Sequence, residues 1–216
     1  MNCLIIGPGG ISPRLFNEYM KISDYVIACD RGARHFKNQY QRPDLYIGDF
    51  DSIDPKDCEN IPKDKMIHFP KKKDYTDFEL ALKYTPDQST IYALGFLGGR
   101  LDHELANIML LKKMYDEQRS LIILNENNEI SWLEETQWIL AKHKYLSIIP
   151  LTSMEISMEG VAYPLNHRHV QLAETLTISN EIRDEKALIK VHEGYGILIQ
   201  AEDPIRGKEL EAWEEG

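Results

Sequence analysis

The sequence predicts a two-part chain. An α/β domain with a mostly parallel sheet and helices on both faces, residues 1–125, precedes an all-β, sandwich- or barrel-like domain, residues 126–216. Three observations carry this. Short apolar runs alternate with helical patterns through the first half, as strand–helix–strand units do. After Asn125 the segments become short and β-rich, at the spacing of a sandwich or barrel. Polar and glycine-rich clusters fall at predicted strand ends in the first half, which is where open parallel sheets hold ligands.

The elements follow in order. Residues 2–6 form an apolar run that stops at Gly7-Pro8-Gly9-Gly10. Residues 13–21 read as a helix with Ser12 as N-cap. Strands at 25–29 and 45–47 flank a short helix at 31–38, and the second of them runs into Gly48-Asp49-Phe50-Asp51. A strand at 66–69 precedes a helix at 77–84, whose start is marked by the capping-box pair Thr76 and Glu79. A strand at 90–94, a loop at 95–99 and a helix at 102–115 come next. Leu105, Ile108, Met109 and Lys112 give that helix its period. Residues 121–124 read as a buried strand. The second half reads as strands at 129–133, 137–140, 145–149, 154–158, 175–178, 188–191 and 196–200, separated by turns such as Glu159-Gly160 and Glu193-Gly194.

Bulk properties narrow the function. Hydrophobic residues make up 43% and charged residues 28%, ordinary values for a globular chain with a real core. The net charge of −10 argues against free nucleic acid, whose backbone needs a cationic surface. Cys3, Cys29 and Cys58 form no CxxC pair, and the first two sit in apolar runs, so buried thiols in a reducing compartment are expected. The N-terminus lacks a basic signal-peptide start, and no apolar stretch approaches the roughly 20 residues that span a bilayer. The expectation is a cytoplasmic protein with no membrane partner.

Three clusters carry chemistry. Asp49 and Asp51 share one face of an extended strand end, where a hard divalent cation relieves the repulsion of two carboxylates. Alone, such a pair is equally a cap or a turn. Lys71-Lys72-Lys73-Asp74-Tyr75-Thr76-Asp77 sets three lysines beside two aspartates at a helix start. Lysines suit phosphate oxygens, and a helix N-terminus favours anions. Read blandly, it is a solvated run and a cap, with Asp77 complementing the dipole. Gly95 to Asn107 combines glycines that admit a close ligand with Arg100, a bidentate phosphate clamp. His103 and Asn107 stand one turn apart on one face. The bland reading is a loop, a cap at Asp102 and a satisfied helix histidine. Gly7-Pro8-Gly9-Gly10 matches neither GxGxxG nor a Walker loop.

Together, Gly48-Asp49-Phe50-Asp51-Ser52-Ile53, Asp74-Tyr75-Thr76-Asp77 and Gly98-Gly99-Arg100-Leu101-Asp102-His103 resemble the thiamin pyrophosphokinase family in order and spacing. Gly160-Val161-Ala162-Tyr163-Pro164-Leu165 and Ser179-Asn180-Glu181 extend the resemblance over nearly the whole chain. The resemblance implies an α/β domain that binds ATP and Mg²⁺ and a β-rich domain that binds thiamin. It also implies a homodimer whose active sites lie between the first domain of one subunit and the second domain of the other. Asp49, Asp51 and Asp77 match the family's Mg²⁺ carboxylates. Lys73 and Asp74 match its phosphate and metal contacts, and Asp30, His103 and Asn107 join them as candidate nucleotide contacts. Arg100 and Asp102 match the loop that faces the substrates, and Ser179 and Asn180 match the thiamin side. The implied reaction is ATP + thiamin → AMP + thiamin diphosphate. The chain departs from the family at Asp30-Arg31-Gly32-Ala33, where Asp-Gly-Gly-Ala is frequent. Tyr195 and Trp213 compete for a thiamin-stacking role without an assignment. Two other readings compete: a phosphatase or nucleotidyltransferase using the DxD, and a non-catalytic nucleotide sensor.

Overall fold

The computed structural model describes residues 1–37, 42–50 and 62–203. Asp51, Ser52, Ile53, Cys58 and Trp213 lie outside the described residues. The chain divides into two compact units, Met1–Trp132 and Leu133–Gly216.

The first unit is built on strands β1 (Asn2–Ile6), β2 (Tyr25–Cys29), β3 (Leu45–Gly48), β4 (Met66–His68), β5 (Thr90–Leu94), β6 (Ser120–Leu124) and β7 (Asn128–Leu133). Their order is β4-β3-β2-β1-β5-β6-β7. β1 to β6 are parallel and β7 runs antiparallel to β6. Strand order reverses at β1, which pairs β2 on one side and β5 on the other. The switch point of a doubly wound sheet opens a crevice beyond the strands' carboxyl ends. Ile6 registers with both Ala28 and Leu94, so the residues that follow these strands emerge at one level.

Helix α1 (Pro13–Ile22) starts where expected: the Ser12 hydroxyl accepts the Leu15 N–H at 3.2 Å, and Pro13 needs no partner in the first turn. Its buried face, Leu15, Phe16, Tyr19 and Met20, packs with Leu4, Ile6, Val26, Phe36 and Leu94. Side chains of this size each contribute about 1.5–3 kcal/mol when buried. The short helix expected at 31–38 is a 3₁₀ segment, Asp30–Phe36. Helix α2 (Asp77–Leu82) is capped by the Thr76 hydroxyl, which accepts the Glu79 N–H at 3.1 Å. Helix α3 (Leu101–Asp116) buries Asn107, Leu111 and Met114, while Leu105 and Met109 face outward. The apolar period therefore marks the helix but not its packed face.

The second unit holds β8 (Gln137–Leu140), β9 (Tyr145–Pro150), β10 (Met154–Glu159), β11 (Leu165–Val170), β12 (Lys186–Glu193) and β13 (Gly196–Ala201). β9 and β13 pair antiparallel, and β11-β10-β12-β8 form an antiparallel sheet. Leu146, Ile148 and Leu198 from the pair meet Met154, Ile156, Met158 and Ile189 from the sheet in one core, as in a sandwich. Two expectations are corrected. Residues 175–178 form turns, because Thr177 spends its polar groups on β9: its hydroxyl donates to the Ile148 carbonyl and its carbonyl accepts the Ile148 N–H. The strand lies earlier, at β11, whose Asn166-His167-Arg168-His169 lacks alternating hydrophobicity because both of its faces are exposed.

Candidate active site

The carboxyl ends of β1, β2, β3 and β5 and the starts of α2 and α3 enclose a cavity of about 740 Å³. That size suits a nucleotide-scale ligand. Its lining brings together Asp30, Asp49, Lys73, Asp77, Arg100, His103 and Asn107, which the sequence separates by up to 77 positions. Asp74 and Asp102 are exposed and do not line it. Asp51 lies outside the described residues. Ser179 and Asn180 belong to the second unit.

Close backbone approach builds the cavity floor. The Gly7 N–H donates to the Leu94 carbonyl at 2.7 Å, and the Gly9 N–H to the Gly95 carbonyl at 2.8 Å. Gly95 has φ +79°, and a Cβ there would sit 2.8 Å from the Gly7 carbonyl oxygen, so no side chain fits. Phe96 follows and stacks on Phe78 of α2 with centroids 3.9 Å apart. Asn107 is buried, and its amide donates to the Phe96 carbonyl at 3.1 Å, fixing the β5 loop to α3.

The acidic wall comes from β2, β3 and α2. Gly48 lets β3 pass close behind Asp30, where an added Cβ would lie 3.0 Å from the Asp30 Cα. Asp30 itself has φ +45°, a strained conformation for a residue with a side chain. Its Oδ1 is buried without a hydrogen-bond partner. Burial pushes its pKa up, opposed by the Arg31 N–H bond and reinforced by the charges of Asp49 and Asp77. An orphaned buried carboxylate oxygen facing two further carboxylates is the environment a hard cation stabilises. Among the described residues no group of three His, Cys, Asp or Glu is arranged to hold a metal by itself. Mg²⁺ usually keeps several waters and binds through one or two carboxylates plus phosphate oxygens, so the residues present suit it.

The basic side holds Lys71, Lys73, Arg31 and Arg100. Lys73 Nζ lies 2.8 Å from Asp77 Oδ1, a largely buried i,i+4 pair. The Arg100 guanidinium is exposed and grips Asp102 with two bonds, at 3.1 and 2.6 Å. That bond holds the Asp102 carboxyl below the usual range. His103 donates its backbone N–H to the same carboxylate. Glu104, a cavity residue to which the sequence assigned no role, accepts the Gly99 N–H at 2.5 Å and fixes the glycine loop. Its signal was positional: a carboxylate in a helix's first turn can reach back to an N–H before the cap.

In the second unit, the buried Asn180 side chain accepts the Tyr163 and Glu181 N–H groups and donates to the Tyr163 carbonyl at 2.8 Å. Its amide is thus used in scaffolding. It presents the exposed Ser179, which holds φ +58° and donates its N–H to Ser147 Oγ.

Residues 16–123 match the family model described as thiamin pyrophosphokinase, catalytic domain, and residues 127–196 match thiamin pyrophosphokinase, vitamin B1 binding domain. The chain belongs to the thiamin pyrophosphokinase family. It is 30% identical over 212 residues to the thiamine pyrophosphokinase of Bacillus subtilis, covering 94% of this chain and 99% of that one. It is 26% identical to thiamin pyrophosphokinase 1 of Caenorhabditis elegans, over 91% of this chain and 86% of the relative. The crystal structure of the Bacillus subtilis thiamine pyrophosphokinase aligns with TM-score 0.82 at 28% identity, covering 94% of this chain and all of the other. That of the thiamin pyrophosphokinase from Geobacillus thermodenitrificans aligns with TM-score 0.82 at 29% identity, over 95% and 99%. The thiamin pyrophosphokinase catalytic model ends at Ile123 on β6, and the vitamin B1 binding model begins at Asn127 beside β7. No helix among the described residues is long and apolar enough to cross a membrane.

Proposed function

We propose that the switch-point cavity binds Mg²⁺ and ATP, and that Asp30, Asp49, Asp51, Lys73, Asp77 and Arg100 carry the family's reaction there. The reaction of this chain is transfer of the diphosphoryl group of ATP to the thiamin hydroxyl, giving thiamin diphosphate and AMP. The observation that carries the site assignment is the unpartnered, buried Asp30 oxygen, which feels the Asp49 and Asp77 charges, in a cavity also lined by Lys71, Lys73 and Arg100.

The thiamin oxygen attacks the β-phosphorus, the bond from that phosphorus to the α-phosphate oxygen breaks, and AMP leaves. Transfers of this kind depend on positioning and charge balance more than on covalent help. Carboxylates drawn from Asp30, Asp49, Asp51 and Asp77 would hold Mg²⁺, which would supply charge neutralisation on the triphosphate. Lys73, steadied by Asp77, offsets charge on the transferred oxygens. Arg100 does so from the rim, where Asp102 sets its orientation. Neither Asp77 nor Asp102 is a strong base, because each carboxylate is already engaged by a cation. The protein therefore contributes orientation and a fixed field, and the thiamin hydroxyl proton passes to solvent or phosphate.

The cavity lining comes from the first unit alone. Family resemblance supports the second unit's Ser179–Asn180 segment of a partner subunit in a homodimer, and a cytoplasmic enzyme. Asp74, Asp102, His103 and Asn107 support the nucleotide loops. Phosphorus NMR on protein, ATP, Mg²⁺ and thiamin tests the reading: AMP and thiamin diphosphate are expected in equal amounts. ADP, or free phosphate as from a phosphatase, overturns it, and so does ATP binding without turnover.

A further inference from the structure

The Pro8-Gly9 loop lines the cavity, yet its carbonyl groups are held from outside it. Arg34 Nη2 donates to the Pro8 carbonyl at 2.8 Å and to the Gly9 carbonyl at 3.3 Å. His35 Nε2 lies 3.0 Å from the same Gly9 oxygen. A carbonyl only accepts, so Nε2 carries the proton in this contact. Neither Arg34 nor His35 is among the cavity-lining residues. Both carbonyls are therefore turned away from the cavity. Because the peptide unit is planar and trans, the Gly9–Gly10 unit aims its N–H to the opposite side from its carbonyl. On its other flank the loop is tied by the Gly9 N–H to the Gly95 carbonyl, and a Cβ on Gly9 would fall 2.7 Å from that oxygen. His35 is itself fixed, half-buried and stacked near Phe16 with centroids 6.3 Å apart.

A polyphosphate is repelled by the negative end of a carbonyl dipole and attracted by N–H groups, so loop orientation sets nucleotide affinity. We propose that Arg34 and His35 are positioning residues for the nucleotide: they hold the Pro8 and Gly9 carbonyls out of the cavity, so that the negative ends of these dipoles do not face the phosphates. The proposal rests on the reading that the cavity takes ATP with Mg²⁺. It locates the functional use of Gly7–Gly10 in the side chains behind the loop rather than in a glycine motif. Neither residue touches substrate, so their effect belongs to ATP binding and not to the chemical step.

The test measures kcat, KM for ATP and KM for thiamin, with Tm alongside, in wild type, His35→Ala, His35→Gln, Arg34→Met and Arg34→Lys. Losing one such bond is expected to raise KM for ATP about 3–10-fold in His35→Ala and in Arg34→Met. The values of kcat at saturating ATP and KM for thiamin stay within about twofold. His35→Gln keeps a donor at similar reach and recovers most of the loss, as Arg34→Lys does for Arg34. An unchanged KM for ATP overturns the proposal, even with a lower Tm, as does a parallel fall in kcat or a Gln variant as weak as the Ala variant. Arg34 is exposed, so Arg34→Met carries the comparison if His35→Ala does not fold. A wild-type protein that forms no AMP overturns the functional reading instead, whereas an active wild type with indifferent variants overturns only this inference.

Discussion

Asp30 is the residue where stability and function pull apart. It is half-buried and left-handed in backbone, with one buried carboxylate oxygen lacking a partner, and the charges of Asp49 and Asp77 act on it. Its pKa is raised in the folded state, so folding favours the protonated form. Stability from this group is present below the unfolded pKa of about 3.8 and is lost as pH rises through the folded value. Above that folded value the ionised Asp30 is a destabilising element, which the proposed Mg²⁺ would relieve. Asp30→Asn should make the free protein more stable at pH 7. The amide oxygen keeps the Arg31 N–H, and the NH₂ group faces the two carboxylates. A gain of about 1 kcal/mol corresponds to roughly 2–4 °C in Tm at this chain length. Mg²⁺ should raise the Tm of wild type and not of the variant, a readout independent of turnover. A variant less stable than wild type at pH 7, or an equal Mg²⁺ response in both, would show that Asp30 is structural. The sequence marked Asp30 as a polar residue at a strand end and a candidate nucleotide contact. The missing partner and the positive φ exist only once β3 lies behind it, so no local pattern carries them.

Elements were legible where local chemistry agreed with the fold. Ser12 and Thr76 announce their helices because a hydroxyl that accepts an N–H two or three residues on works the same in any context. Thr76 also has a functional duty, since the first turn it caps carries Asp77 and orders the Lys73 pair. Thr76→Ala should cost about 1 kcal/mol of stability. It should also weaken protection of the amides in the first turn of α2 in hydrogen exchange, while Thr76→Ser restores both. Unchanged exchange in α2 would mean that packing of Phe78, Leu80 and Leu82 alone holds the turn. β11 was illegible for the opposite reason: on this edge strand the central residues 166–169 are exposed on both faces and need no hydrophobic alternation, so the segment reads as loop. Leu105 and Met109 helped mark α3 as a helix, although both point outward. Periodicity reports the geometry of an element and not what covers it.

At the scale of the molecule, the chemistry of the first unit was written in motifs, and the thiamin side was not. Asp49, Lys73 and Arg100 are separated in sequence yet meet because β1, β2, β3 and β5 end at one level around the switch point. That convergence follows from parallel strand order, which alternating patterns predict. Ser179 and Asn180 had no such rule, and their place rested on family resemblance alone. A homodimer with each site shared between a first unit and its partner's second unit makes a quantitative prediction. Asp49→Asn removes a preorganised charge and should lower kcat/KM by at least about 10²-fold. Ser179→Tyr puts a bulky group on the proposed thiamin side, at an exposed position whose backbone is already left-handed. Co-expressed in equal amounts, the two inactive chains assort so that about half of the dimers are mixed. Each mixed dimer then holds one doubly substituted site and one intact site, so the mixture recovers about a quarter of wild-type activity. Purified separately and mixed without exchange, the chains stay inactive. If each site were confined to a single subunit, no intact site could form in any dimer, and co-expression would leave activity at the level of the single variants.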